Sequence, residues 1–176
     1  MNQPLLAFVV PCYNEEATLQ TTIDRLTELL QQYISTNLIS EKSFLLFVND
    51  GSADATWQII KNNSGNSVKG LKLSNNVGHQ NALLAGLHFV NNKCDCCISI
   101  DADLQDDIAV TGLMVEQFIN GSHIVYGVRN SRKTDSAIKK FTAHLFYKIM
   151  KGLGCDVVYN HADFRLLSNK DRKSVV

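Results

Sequence analysis

Five stretches of strand length, at residues 5–10, 43–48, 68–73, 96–100 and 123–127, are each cut off by a polar cluster. The first four are followed by a helical pattern. Runs such as Leu5-Leu-Ala-Phe-Val-Val10 are continuously apolar rather than alternating, which suits strands buried on both faces, as in a parallel sheet. Pro11 is expected to end the first. The first helical pattern opens at Asn14-Glu-Glu, with acids favouring the helix dipole, and places Leu19, Ile23, Leu26, Leu29 and Leu30 on one face. Further helices are predicted over 54–60, 79–90 and 108–119, the last stopped at Gly121. Such alternation predicts βαβ units with right-handed crossovers: an α/β fold, Rossmann-like, with a mainly parallel sheet and helices on both faces.

In sheets of this kind ligands bind outside the carboxyl ends of the strands, and all five runs end in polar residues there. Those ends are Pro11 to Glu15, Asn49-Asp50-Gly51, Asn75 to Gly78, Asp101 to Asp107, and Gly127 to Arg129. The fourth is the most acidic. In an extended chain, residues two apart point the same way at roughly 6 to 7 Å, so Asp101 and Asp103 can share one divalent cation. Acid-rich stretches after strands also serve as turns and helix caps, and an isolated Asp-x-Asp is more often one of these.

At 176 residues the chain is read as one domain. Lys plus Arg equals Asp plus Glu at 17 each, so no global field draws in nucleic acid, which is disfavoured as a partner. No apolar run approaches the roughly 20 residues of a membrane span, and the N-terminus has no signal-peptide pattern, so the chain reads as soluble and unsecreted. Five cysteines without framework spacing fit a reducing cytosol, with Cys94, Cys96 and Cys97 read as core thiols rather than a zinc site.

The first strand-to-helix turn lacks Gly-x-Gly-x-x-Gly, and no P-loop occurs. A diphosphate bound on this rim would need its charge met by a cation on carboxylates, and hard oxygen ligands select Mg²⁺ or Mn²⁺.

Five ordered motifs carry a family resemblance: residues 10–16, 48–54 and 76–82, Asp101-Ala-Asp103-Leu-Gln105-Asp106, and Ala162-Asp163-Phe164-Arg165 with the residues to Ser168. Over residues 5 to about 168 the chain resembles catalytic domains of glycosyltransferase family 2, of the GT-A fold. Within it the motifs are similar to the polyprenyl-phosphate group, which holds dolichyl-phosphate mannose synthases and bactoprenol glucosyltransferases. The resemblance implies an inverting enzyme of cell-envelope glycan synthesis that moves a hexose from a UDP- or GDP-sugar to a polyprenyl phosphate. By it, Pro11, Tyr13, Asn14, Glu15 and Asp50 hold the nucleotide-sugar, and Asp101, Asp103 and Gln105 bind the cation. Asp101 would thereby also meet the donor, Asp103 would serve catalysis, and Arg129 would meet phosphate. Asp163 is implied as a catalytic base. A phosphate monoester has its second pKa near 6, so a lipid phosphate needs little deprotonation and Asp163 can act by positioning instead. Plainer roles stand beside these: Glu15 as a helix-start acid, Asp50 as a turn former, Gln105 in a solvated loop, Arg129 as a surface cation, Asp163 paired to Arg165.

Residues 1–127 are expected to form the nucleotide-sugar and metal part, and 128–176 the start of an acceptor-facing part. Residues 137–153 read as a basic amphipathic helix, with Ile138, Phe141, Leu145, Ile149 and Leu153 on one face. Such a helix can dock at an anionic membrane surface or simply cover a core. Relatives in the family continue further and often carry transmembrane helices, so the chain is expected to be truncated from a membrane-anchored protein at the cytoplasmic face; a homo-oligomer stays open. Asp107 stands where the bacterial pattern often has proline. Two alternatives remain: a family 2 enzyme acting on a polysaccharide or other glycan, or a nucleotide-sugar-binding module inactive in this length.

Overall fold

The computed structural model describes residues 3–128 and 161–169. Of these, residues 3–125 and 163–169 belong to one compact unit. The elements in order are β1 (Leu6–Cys12), α1 (Leu19–Ser35), β2 (Phe44–Asn49), α2 (Thr56–Asn63), β3 (Val68–Lys72), α3 (His79–Val90), β4 (Cys96–Ser99), a 3₁₀ turn (Ile108–Val110), α4 (Thr111–Ile119), β5 (Ile124–Val128) and β6 (His161–Ser168). They build one sheet in the order β3-β2-β1-β4-β6-β5. β1 pairs in parallel with β2 and β4, and β2 with β3.

All seven residues of β1 and all six of β2 are buried, which explains their unbroken apolar sequences. Ala7, Val9, Leu46 and Val48 pack against Ala82, Leu83, Leu87 and Val90 of α3. On the opposite face a Cβ at Gly70 of β3 would meet Ile60 and Trp57 of α2. Helices thus cover both faces, as the alternation predicts. The edge strand β3 carries Lys69 and Lys72, whose ammonium groups lie over the rings of Phe44 and Trp57, and its charges discourage edge-to-edge pairing. Cys94, Cys96 and Cys97 are buried and form no disulfide, in keeping with their reading as core residues.

Four details depart from the sequence expectations. β1 runs through Pro11 to Cys12. The Val9 carbonyl faces β4 and the Cys12 carbonyl faces β2, so by alternation Pro11 faces β4. The β1–β4 pairing has already ended at Val9–Ser99, so the missing N–H of Pro11 forfeits no ladder bond. α1 begins at Leu19 rather than Asn14, because Asn14 has φ +55° and is committed to a loop; the acids at 15 and 16 precede the helix. β4 stops at Ser99, so Asp101 and Asp103 lie on a turn instead of an extended strand, with the Leu104 N–H donating to the Asp101 carbonyl at 3.2 Å. Finally, the Asp163 motif forms β6, antiparallel to β4 in the register Ser99–Arg165, and separates β4 from β5. The five strands expected from the sequence do not include this one.

Candidate active site

The chain proceeds β1, β2, β3 to one side, then crosses back to place β4 on the other side of β1. At such a reversal the loops after neighbouring strands diverge and leave a crevice at their carboxyl ends. A cleft of about 480 Å³ lies there, and each loop contributes to it. Pro11, Tyr13 and Glu15 come from the end of β1, Asp50 from the end of β2, His79 from the start of α3, and Asp101 and Asp103 from the turn after β4. Six of the residues singled out in the sequence are therefore brought together.

The loop after β1 is stitched to the loop after β2. Three consecutive N–H groups, of Asn14, Glu15 and Glu16, donate to Ser52 Oγ at 3.0 Å, Thr56 Oγ1 at 2.8 Å and Asp54 Oδ2 at 3.0 Å. In return Asn14 Oδ1 accepts the Ala53 N–H at 3.0 Å, and Glu16 Oε2 the Ala55 N–H at 2.9 Å. Asn14, expected to hold the donor, instead turns its side chain to this stitch and does not line the cleft. Tyr13, 48% exposed, is left with its ring available at the mouth. Glu15 accepts the Thr18 hydroxyl at 2.9 Å.

Asp50 is 2% exposed, and its carboxylate accepts the N–H of Val77 at 2.8 Å and of Gly78 at 3.0 Å. It fixes the loop before α3 while lining the cleft. Cys12 also borders the cleft, and burial, reinforced by the charge of Glu15, holds its thiol protonated far above the usual cysteine range. It offers no thiolate nucleophile in that state.

On the opposite wall His79 Nε2 stands 3.5 Å from Asp101 Oδ1, both side chains being roughly half exposed. His79 is not among the site residues expected from the sequence, although its place directly after Gly78, at a strand-end break that opens a helix, marks it as a rim residue. Asp103 Oδ1 accepts the N–H of Gln105 at 3.2 Å. Gln105 itself, expected as a third metal ligand, does not line the cleft. Among the described residues no three His, Cys, Asp or Glu side chains are grouped to hold an ion. Two hard carboxylates facing one cleft nevertheless fit Mg²⁺ or Mn²⁺, cations that keep sites open for water and substrate phosphate. Asp163 lies in β6, at the end alongside the carboxyl end of β4, and the structure does not describe its side chain. Arg129, like residues 137–153, falls outside the described residues.

Comparison with known proteins gives three kinds of likeness. The family described as Glycosyl transferase family 2 matches residues 7–174. Among curated relatives, the uncharacterized glycosyltransferase YkoT of Bacillus subtilis (strain 168) is 53% identical over 96% of this chain and 51% of its own length. The bactoprenol glucosyl transferase of Shigella phage SfV is 33% identical over 94% of this chain and 52% of its own. The chain thus spans about half the length of these relatives. Among solved structures, glucosyl-3-phosphoglycerate synthase from Mycobacterium tuberculosis, in complex with Mn²⁺, UDP and phosphoglyceric acid, superposes with a TM-score of 0.64. It is 19% identical, over 95% of this chain and 56% of that one, a likeness of fold.

Proposed function

The chain belongs to glycosyl transferase family 2, and from that premise we propose that its cleft binds a nucleotide-diphosphate sugar and transfers the hexose, with inversion, to a polyprenyl phosphate. The observation that carries the reading is the convergence of Tyr13, Glu15, Asp50, Asp101 and Asp103 on one crevice at the reversal in strand order. Tyr13 and Glu15 would meet base and ribose, while Asp50 keeps the facing loop in place. Asp101 and Asp103 would hold Mg²⁺ or Mn²⁺, which when bound neutralises charge developing on the nucleoside diphosphate as it leaves. Arg129 would add a positive contact to phosphate. Asp163, at the β6 end nearest the acidic turn, would orient the acceptor; Asp163→Asn should slow transfer and leave nucleotide affinity intact.

The lipid acceptor is favoured over a soluble glycan by the 33% identity to bactoprenol glucosyl transferases. Such an acceptor requires a membrane surface, for which the basic amphipathic pattern of residues 137–153 is suited. The test is transfer of labelled hexose from UDP-glucose and from GDP-mannose, with Mn²⁺, by the whole protein to a short polyprenyl phosphate. Transfer to polyprenyl phosphate but not to oligosaccharides supports the reading. Transfer to a glycan alone would replace it.

A further inference from the structure

Ala102 lies between the two acids and is 4% exposed, so its carbonyl oxygen needs a protein partner. That partner comes from α1: the hydroxyl of Thr22, itself 3% exposed, donates to the Ala102 carbonyl at 2.6 Å. The Thr18 carbonyl, one helical turn back, is 3.3 Å from the same hydroxyl. A hydroxyl has one hydrogen to give, and the shorter distance marks Ala102 as its acceptor. A threonine usually spends its hydroxyl on its own helix; here it reaches a residue 80 positions away.

The acidic turn has reason to need this hold. Leu104 adopts φ +48°, a conformation unfavourable for a leucine, and it keeps that conformation only if its surroundings over-determine it. Within the turn, the Leu104 and Gln105 N–H groups satisfy the Asp101 carbonyl and the Asp103 carboxylate. From below, Thr22 fixes the peptide unit joining Ala102 to Asp103, and so the direction in which the Asp103 side chain leaves the backbone. Packing alone asks for no hydroxyl at this position, since its buried neighbours on α1 include Leu19, Ile23 and Leu26.

We infer that Thr22 is a positioning residue for the acidic turn, holding Asp101 and Asp103 in the orientation a divalent cation needs. This rests on the metal reading proposed above. Thr22→Val keeps the shape and removes the donor, and Thr22→Ser restores it. The whole protein is titrated with UDP and with GDP by calorimetry, with and without Mn²⁺. In Thr22→Val the gain in nucleotide affinity brought by Mn²⁺ should fall by about tenfold or more, as for other outer-shell partners of metal ligands, while affinity without metal is unchanged. Thr22→Ser should recover the gain. If Thr22→Val does not fold, Thr22→Ala carries the same expectation. Equal losses with and without Mn²⁺ would reduce Thr22 to a packing role and overturn the inference. So would a full Mn²⁺ gain in Thr22→Val when Asp103→Asn loses it. Should Asp103→Asn also keep the gain, the metal reading falls, and the inference with it.

Discussion

Asp50 and Gly78 face each other across the floor of the cleft, the Asp50 Oδ2 accepting the Gly78 N–H at 3.0 Å while Oδ1 takes the neighbouring Val77 N–H. Both acceptors are used, which makes the carboxylate hard to replace. In Asp50→Asn one oxygen becomes an amide nitrogen aimed at a backbone donor, and a hydrogen bond to a buried charge is lost, although the Gly78 N–H keeps the Asn76 Oδ1 at 2.9 Å. The variant should be less stable by about 1–3 kcal/mol in urea unfolding and should bind nucleotide more weakly. Full stability in Asp50→Asn would mean that the loop before α3 does not depend on this contact.

Two glycines on the same rim should respond differently to alanine. Gly51 has φ +64°, and a Cβ there would fall 2.4 Å from the Asn75 carbonyl carbon and 2.5 Å from the Asn76 nitrogen. Those are backbone atoms that cannot swing aside. Gly78 has φ +88° but nothing within 4 Å of an added Cβ. Gly78, at ψ 152°, adopts an extended positive-φ conformation essentially reserved for glycine, so Gly78→Ala should cost that backbone conformation, about 1–3 kcal/mol, and Gly51→Ala distinctly more, with loss of the cleft. Equal urea midpoints for the two variants would contradict the close approach of the 75–76 backbone.

The fold was legible where the chain obeys one rule at a time. The unbroken apolar runs of β1 and β2 report burial on two faces, and the 3.6-residue spacing from Leu19 to Leu30 reports one buried helix face. Local signals misplaced boundaries where distant side chains intervene: Asn14 to Glu16 have the composition of a helix start, but Ser52, Asp54 and Thr56 hold their N–H groups in a loop. β6 carries a strand signal of its own, since His161 to Leu166 alternate polar and apolar, but its pairing was hidden because its partner is β4, more than sixty residues earlier. The cleft acids were found from strand-end position alone, since Asp101 and Asp103 would stand on this rim whether on a strand or a turn. Thr22 could not be found that way, because its importance lies in a contact that only the folded chain creates.

Asp54 gives the stitched loops a pH dependence. Its slight desolvation acts to raise its pKa, but hydrogen bonds from Thr56 and from the Glu16 N–H outweigh this and hold the carboxyl below its ordinary value. A depressed folded-state pKa contributes stability that is complete above the unfolded value, near pH 4, and is lost as pH falls through the lower folded one. Wild type should therefore exceed Asp54→Asn in urea midpoint at pH 7, and the difference should shrink below about pH 4. A constant difference across that range would assign the effect to geometry instead of charge.

Asp103 offers the sharpest test of the chemistry. Its Oδ1 is engaged by the Gln105 N–H, an interaction an asparagine oxygen can keep, so Asp103→Asn removes charge from the cleft with little cause to disturb the turn. If Asp103 helps hold the cation, transfer by this variant should fall at least about hundredfold at unchanged thermal stability, roughly 3 kcal/mol of lost transition-state stabilisation. Chelation of wild type should produce a comparable loss, reversible by Mn²⁺, whereas added Mn²⁺ should restore Asp103→Asn only at concentrations well above those that saturate wild type. Wild-type turnover in Asp103→Asn would remove the acidic turn from the mechanism and leave the cleft as a nucleotide site alone.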